Sequence, residues 1–193
     1  YNGQSESGIE YDTASYSYLT SKSLTVNLET GIAYVDASDN DTLVSIENLI
    51  GGGSADIITG SSVINILQGN GGDDTFVSSL GDDLIYGGTT SSDAHTNGDL
   101  VDYSNSINTN NKLFVDLSNV ISGYSEAFVT LTSNSSKVFT DKLYGIENII
   151  GTQNNDTLYG NSLSNTLIGS DGNDTLKGAG GADILQGGTG DDV

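Results

Sequence analysis

Asp or Asn stands sixth in each of eight nine-residue units, and Ile, Leu or Phe stands eighth. The first array reads GGGSADIIT (51–59), GSSVINILQ (60–68), GNGGDDTFV (69–77) and SSLGDDLIY (78–86). The second reads GTQNNDTLY (151–159), GNSLSNTLI (160–168), GSDGNDTLK (169–177) and GAGGADILQ (178–186), followed by the broken GGTGDDV (187–193). Carboxylates at a fixed interval among glycines suit the holding of a hard cation. Calcium takes six to eight oxygen ligands; a Gly-rich turn can aim several backbone carbonyls at one point while the sixth-place Asp supplies the charge.

The period also dictates the elements that must carry these groups. Six Gly-rich residues make a tight turn through conformations that other residues resist, and the remaining three form a short strand with one inward side chain. Two units per turn of a flattened coil bring turns on the same side back every 18 residues, so the strands stack in parallel. Ile58, Leu67, Phe76, Ile85, Leu158, Leu167, Leu176 and Leu185 are then expected to line the interior. In this register Asp56 stacks with Asp74, Asp156 with Asp174, and Asp174 with Asp192, and carboxylates so close repel unless a cation lies between them. On the opposite side the pairs are Asn65 with Asp83 and Asn165 with Asp183. There one partner is a neutral amide and its turn lacks the fourth-place Gly, so weak or empty sites are expected, with the Asn side chains hydrogen-bonded locally.

Repetition has a second, longer scale. Asp41 to Gly60 aligns without a gap with Asp141 to Gly160, an offset of 100 that continues through the pairing of Gly87-Gly88 with Gly187-Gly188. Upstream, Leu24 to Leu28 pairs with Leu113 to Leu117, and Glu10-Tyr11 with Asp102-Tyr103, which places an insertion within 119–140 of the second copy. Two modules are expected, 1–97 and 98–193, each with lead-in strands before its nonapeptides, at about 51–88 and about 151–193. The alternation in 23–28 and 112–117 argues half-buried strands. Glu47 and Glu147 occupy the sixth place of units that keep an apolar eighth residue, and these read as metal-free or atypical turns of the same coil.

Composition narrows the partners. Twenty-six acidic residues against five Lys and no Arg give a net charge of −21, which opposes compaction unless cations neutralise it. Nucleic acid and anionic lipid are bound through clustered Lys and Arg that this chain lacks. The absence of Cys removes disulfides and thiolate sites, and no apolar run reaches the roughly 18 residues of a membrane span. The chain opens and stops inside patterned sequence, which reads as a piece of something larger.

GSDGNDTLK, GAGGADILQ and GNGGDDTFV resemble the RTX (repeats-in-toxin) nonapeptide GGxGxDxUx, a calcium-binding β-helix repeat. That resemblance implies an all-β, right-handed parallel β-roll or β-helix with several calcium ions in its Gly-Asp turns. It also implies type I secretion to the outside or surface of a Gram-negative cell, with disorder at low calcium before folding outside. Carried onto these positions, the side-chain ligands are Asp56, Asp74, Asp83, Asp156, Asp174, Asp183 and Asp192. The carbonyl ligands are Gly51, Gly53, Gly69, Gly71, Gly151, Gln153, Gly169, Asp171, Gly178, Gly180, Gly187 and Thr189. Ser54, Val63 and Asn154 depart from the fourth-place Gly, and Ser92 stands where the next Asp is due, so the first copy is expected to bind fewer ions.

The remaining signals point away from an enzyme. His95 is the only histidine and reads as a loop residue, since no nearby Cys, Lys-Ser pair or second His could partner it. Asp73-Asp74, Asp82-Asp83 and Asp191-Asp192 suggest paired carboxylates of a glycosidase, yet repeat places five and six already account for them. Tyr11, Tyr16 and Tyr18 could form a carbohydrate-stacking platform, but Tyr is common in strands. No recurring Thr/Asn pair marks the turns, which disfavours ice binding. The expected function is a calcium-rigidified structural module of a large secreted or surface protein such as an adhesin, S-layer component or toxin, contacting flanking repeats of its own chain. The alternative is a non-catalytic module on an exported alginate epimerase, protease or lipase. A carbohydrate or other cell-surface ligand stays open.

Overall fold

The structure, a computed structural model, describes residues 11–36, 39–88, 98–105, 112–118, 120–121, 124–125, 132–133, 136–137 and 139–193. His95, Ser92 and Glu10 lie outside the described residues, as does most of 119–140. The described elements are all strands and turns, and the order begins β1 (Thr13–Ser15), β2 (Thr25–Asn27), β3 (Ile32–Asp36), β4 (Asp39–Thr42), β5 (Asn48–Ile50), β6 (Ile57–Thr59), β7 (Ile66–Asn70), β8 (Thr75–Val77) and β9 (Leu84–Gly88). It continues with β10 (Leu100–Asp102), β11 (Phe114–Asp116), β12 (Val120–Ile121), β13 (Tyr124–Ser125), β14 (Thr132–Ser133) and β15 (Ser136–Lys137). The last six are β16 (Lys142–Tyr144), β17 (Asn148–Ile150), β18 (Thr157–Tyr159), β19 (Thr166–Asp171), β20 (Thr175–Lys177) and β21 (Ile184–Thr189).

The strands stack in parallel to form a β-roll. Ile57 pairs with Thr75, Ile66 with Leu84, Thr157 with Thr175 and Thr166 with Ile184, so the 18-residue coil holds within each repeat array. The middle residue of each strand points inward because side chains alternate along a strand. Leu49, Leu67, Ile85 and Leu143 stack in one sheet; Val26, Ile58, Phe76, Val101, Ile149 and Leu167 stack in a second. All of these are at most 1% exposed. The core is thus a ladder one side chain thick per strand, in keeping with the low apolar content. Leu176 is only partly buried and Leu185 is 49% exposed, because no described strand stacks beyond β21.

Between the arrays the coil has three sides instead of the expected two. The chain passes from β9 in the first sheet to β10 in the second and β11 in a third, then repeats that circuit through β16, β17 and β18. Before this circuit it alternates between the first and second sheets; after it, between the second and third. The second sheet therefore runs unbroken through both copies, from β2 through β6, β8, β10, β17 and β19 to β21. Antiparallel excursions interrupt the pattern: β3 and β4 fold back beside β2, and β12–β13 and β14–β15 are short hairpins. Such insertions leave the coil intact because closing a longer surface loop costs little.

The structure corrects one alignment. Thr13 pairs with Asn48 and Leu100 with Asn148, so the equivalent of Tyr103 is Tyr16 and not Tyr11. Tyr16 N–H donates to the Ile50 carbonyl and Tyr103 N–H to that of Ile150. Both rings are buried, whereas Tyr18 is 68% exposed. The Leu24–Leu28 and Leu113–Leu117 pairing stands, with Thr25 against Ile57 and Phe114 against Thr157.

Candidate metal centre

The sixth-place residues form rows along the coil, held by a side-chain ladder. Asp56 N–H donates to Asp74 Oδ1 (2.8 Å), and Asp156 N–H to Asp174 Oδ1 (2.7 Å). Asp174 N–H donates in turn to Asp192 Oδ1 (3.0 Å), and Leu24 and Leu113 N–H close the two rows on Asp56 and Asp156. Asn65 N–H reaches Asp83 Oδ1 and Asn165 N–H reaches Asp183 Oδ1. Every carboxylate thus spends one oxygen on the neighbouring coil, and the second oxygen is what distinguishes the turns.

That second oxygen is satisfied at some turns and orphaned at others. Asp56 Oδ2 accepts Gly52 N–H (2.8 Å), while Asp156 accepts both the N–H and the hydroxyl of Thr152. Asp83 Oδ2 accepts the Ser79 hydroxyl (3.0 Å). Asn65 and Asn165 bond locally: each Oδ1 takes the N–H at place two of its own turn, and each Nδ2 donates to the carbonyl of Glu47 or Glu147. Asp74 Oδ2 and Asp174 Oδ2 are buried with no hydrogen-bond partner, and an unpaired buried charge of this kind is costly. Each lies in a cradle that only glycine leaves open. A Cβ on Gly69 would strike Asp74 Oδ2 and the Gly87 carbonyl, and one on Gly169 would strike Asp174 Oδ2 and the Gly187 carbonyl. An orphaned carboxylate oxygen beside a carbonyl of the next coil fits a calcium ion.

Backbone conformation groups the turns of Asp183 and Asp192 with those of Asp74 and Asp174. Places two and four both have positive φ at Asn70 and Gly72, Ser170 and Gly172, Ala179 and Gly181, and Gly188 and Gly190. Turns 51–56 and 151–156 show neither, consistent with Ser54 and Asn154 in place of Gly. The position-one glycines Gly51, Gly69, Gly151, Gly169 and Gly178 are buried at the cradles, whereas Gly53, Gln153, Asp171, Gly180 and Thr189 stand exposed at the turn tips. The Gly51 carbonyl already accepts Asn70 Nδ2 (2.8 Å), and Thr189 Oγ1 donates to Asp171 Oδ1 (2.7 Å). Among the described residues no three His, Cys, Asp or Glu side chains converge on one point, so any ion must draw most of its ligands from the backbone.

Two sixth-place residues escaped sequence reasoning. With Leu100 paired to Thr75 and Lys142 to Leu84, Asp99 and Asp141 complete the rows above Asp74 and Asp83. Asp74 N–H donates to Asp99 Oδ1 (2.8 Å) and Asp83 N–H to Asp141 Oδ1 (3.0 Å). The sixth place after the break is therefore Asp99 and not Ser92, because the inserted residues postpone it. A usable signal was present: an apolar core residue, Val101 or Leu143, follows each Asp by two places. At Asp141 a phenol caps the second oxygen, with Tyr103 OH donating to Oδ2 (3.1 Å); Tyr16 does the same for Asp41 (2.9 Å). Glu47 and Glu147 accept Asp12 and Asp99 N–H, a hydrogen-bonding duty that explains Glu at those sixth places.

Burial sets the electrostatics. It pushes the Asp74 carboxyl up to about 8, aided by neighbouring Asp99, Asp56 and Asp73, and those of Asp156 and Asp83 up to about 6. Burial also raises Asp56 and Asp174. These groups bind protons more tightly folded than unfolded, so the metal-free fold is most stable below their ordinary value of 3.8 and loses stability as pH rises through 6 to 8. Circular dichroism in EDTA should therefore show a larger folded fraction at about pH 5 than at about pH 8.5, and calcium should raise that fraction more at the higher pH. A metal-free folded fraction that climbs with pH over this window would contradict the assignment.

A family model described as the RTX calcium-binding nonapeptide repeat matches the chain in four copies, over residues 59–89, 143–162 and 159–193. No curated protein matches it.

Proposed function

We propose, from the match of residues 59–89 and 143–193 to the RTX calcium-binding nonapeptide repeat, that the chain is a calcium-folded structural module of a larger secreted or cell-surface bacterial protein, of adhesin, S-layer or toxin type. The observation that carries this reading is the pair of buried, orphaned oxygens on Asp74 and Asp174, each facing a carbonyl of the next coil. Such a fold is destabilised without a cation and stabilised with one. The strongest sites in this proposal are therefore Asp74 and Asp174, with Gly69, Gly87, Gly169 and Gly187 forming their cradles. Asp192 continues the second row. Asp56 and Asp156, whose oxygens are all hydrogen-bonded, close the ends of the rows, and the Asn65/Asp83 and Asn165/Asp183 turns bind weakly.

The two sequence copies, 1–97 and 98–193, act as modules of one stiff rod. Calcium binding energy becomes folding energy by linkage, so a chain of net charge −21 stays expanded at the low calcium of a cytosol, suited to type I secretion, and folds outside. Among the described residues no helix is long and apolar enough to cross a membrane, and the repeats supply a scaffold without calling on catalytic groups. Small-angle scattering tests this directly. In millimolar calcium the radius of gyration should approach that of a compact or rod-like chain, whereas in EDTA at about pH 8 it should rise toward the roughly 47 Å of an unfolded chain of this length. Equal radii in the two buffers would refute a calcium-folded module.

A further inference from the structure

We propose that Tyr86 and Tyr144 are an oxidative cross-linking site, whose product is a dityrosine bond between the two sequence copies. The inference concerns no carboxylate and no calcium turn; it assigns a covalent modification to the outer face of the first sheet. The co-reactant is hydrogen peroxide, acting through a haem peroxidase.

The coil itself builds the pair. Tyr86 on β9 and Tyr144 on β16 are direct partners across a parallel ladder, and the residues before them, Ile85 and Leu143, are buried in the core. Alternation along a strand therefore sends both rings out of the same face. They stack with centroids 4.5 Å apart and planes 9° from parallel, the offset arrangement that aromatic pairs favour. Ring carbons of one then lie about 3.5–4.0 Å from those of the other, ordinary carbon contact. Both rings are half-buried, so packing holds the stack while part of each phenol stays in solvent. One ring belongs to the last repeat strand of the first copy and the other to the lead-in of the second, and the chain has no Cys with which to tie them otherwise.

Other tyrosines are placed less well for this chemistry. Tyr16 and Tyr18 lie 6.2 Å apart at a tilt of 34°. Tyr16 and Tyr103 are buried and donate their hydroxyls to Asp41 and Asp141, which keeps those hydrogens engaged. Tyr159 meets Phe114 edge-on, and a phenylalanine has no phenol to oxidise. At Tyr86 and Tyr144 each phenol loses its hydroxyl hydrogen, as one electron and one proton, to the oxidised peroxidase. The two radicals pair at their ortho carbons in a single C–C bond, and the two ortho hydrogens shift to the oxygens and restore both phenols. Overall, two tyrosines and one hydrogen peroxide give one dityrosine and two waters.

The test treats the unsubstituted chain, dilute and folded in calcium, with hydrogen peroxide and a haem peroxidase. Dityrosine fluorescence in the monomer band is expected, with peptide mapping that finds Tyr86 joined to Tyr144 in a product two hydrogens lighter. Tyr144→Phe keeps the stack but lacks the second phenol and should lose this bond; Tyr18→Phe, which removes a 68% exposed phenol, should keep it. The yield should collapse in concentrated urea, because the fold makes the pair. The coupled chain should melt several degrees above the uncoupled one in calcium, since the bond closes the loop from Tyr86 to Tyr144 in the unfolded state, as a disulfide would. Coupling confined to bonds between molecules, or an equal yield in urea, overturns the site, and an unchanged Tm overturns its role as a tie between the copies. None of these outcomes depends on where calcium binds.

Discussion

Asp174→Asn should destabilise the protein in calcium and stabilise it in EDTA. With calcium at about 100 times its Kd, a site contributes about 2.7 kcal/mol to folding, and the substitution removes the charge that anchors it. Without calcium the same carboxylate is a liability: it is buried, its Oδ2 has no partner, and Asp192 and Asp171 crowd it. An amide at this position relieves the charge and can act as Asn165 does, donating to a nearby backbone carbonyl. Asp83→Asn should show a smaller calcium-dependent loss, because both Asp83 oxygens already accept hydrogen bonds from Asn65 and Ser79. Paired thermal melts in calcium and in EDTA, both with enough trimethylamine N-oxide to hold the metal-free chain folded, check the sign. Equal losses at the two positions, or equal destabilisation in the two buffers, would sink the assignment.

Gly169→Ala carries the other large effect. Gly169 does not occupy the left-handed region, so alanine can take its backbone conformation, but the new Cβ would meet Asp174 Oδ2 and the Gly187 carbonyl. Overpacking costs about 1–3 kcal/mol in either buffer, and in calcium the loss of the cradle adds about the contribution of one site, again about 2.7 kcal/mol. Gly172→Ala provides the contrast. Its φ is +124° and its Cβ would run into the Asn154–Asn155 backbone of the preceding coil, so it should damage the fold to a similar extent with and without calcium. Isothermal calorimetry and melts on the two variants separate these causes, and calcium affinity retained in Gly169→Ala would show that the cradle is not the site.

The coil itself was legible because its period is local. Asp-x-apolar after a Gly-rich turn fixes both the strand and its inward residue, and six of the eight predicted core positions, Ile58, Leu67, Phe76, Ile85, Leu158 and Leu167, are at most 1% exposed. Stacking at 18 residues follows from the same period and appears in each array's pairing. The parts that sequence reasoning missed are those where long-range stacking overrides local spacing. Asp99 and Asp141 enter their rows across sequence separations of 25 and 58 residues, which no nine-residue frame reveals. The third side of the junction coil, formed by β11, β18 and β20, likewise departs from the two-sided period. Differences between turns were only partly visible: the Asn turns could be read as weak, but the capping of Asp56 by Gly52 and of Asp156 by Thr152 depends on backbone geometry at turns without a fourth-place Gly.

Tyr103 and Asp141 show how the fold handles a buried acid without a metal. Burial and the nearby Asp83 charge push the Asp141 carboxyl well up, and the Tyr103 hydroxyl is pushed up by burial and by Asp141. The phenol donates to the oxygen that would otherwise stand unpaired. Tyr16 OH also donates to Asp41 Oδ2, but Asp41 lies exposed in β4, so the capped buried acid is peculiar to the pair of Tyr103 and Asp141.

Far-ultraviolet circular dichroism during a calcium titration of the whole chain, reversed with EDTA at about pH 8, tests the central claim most directly. A β signal that grows cooperatively with calcium and is lost on chelation is the predicted result. A full β signal in EDTA that millimolar calcium leaves unchanged would contradict it.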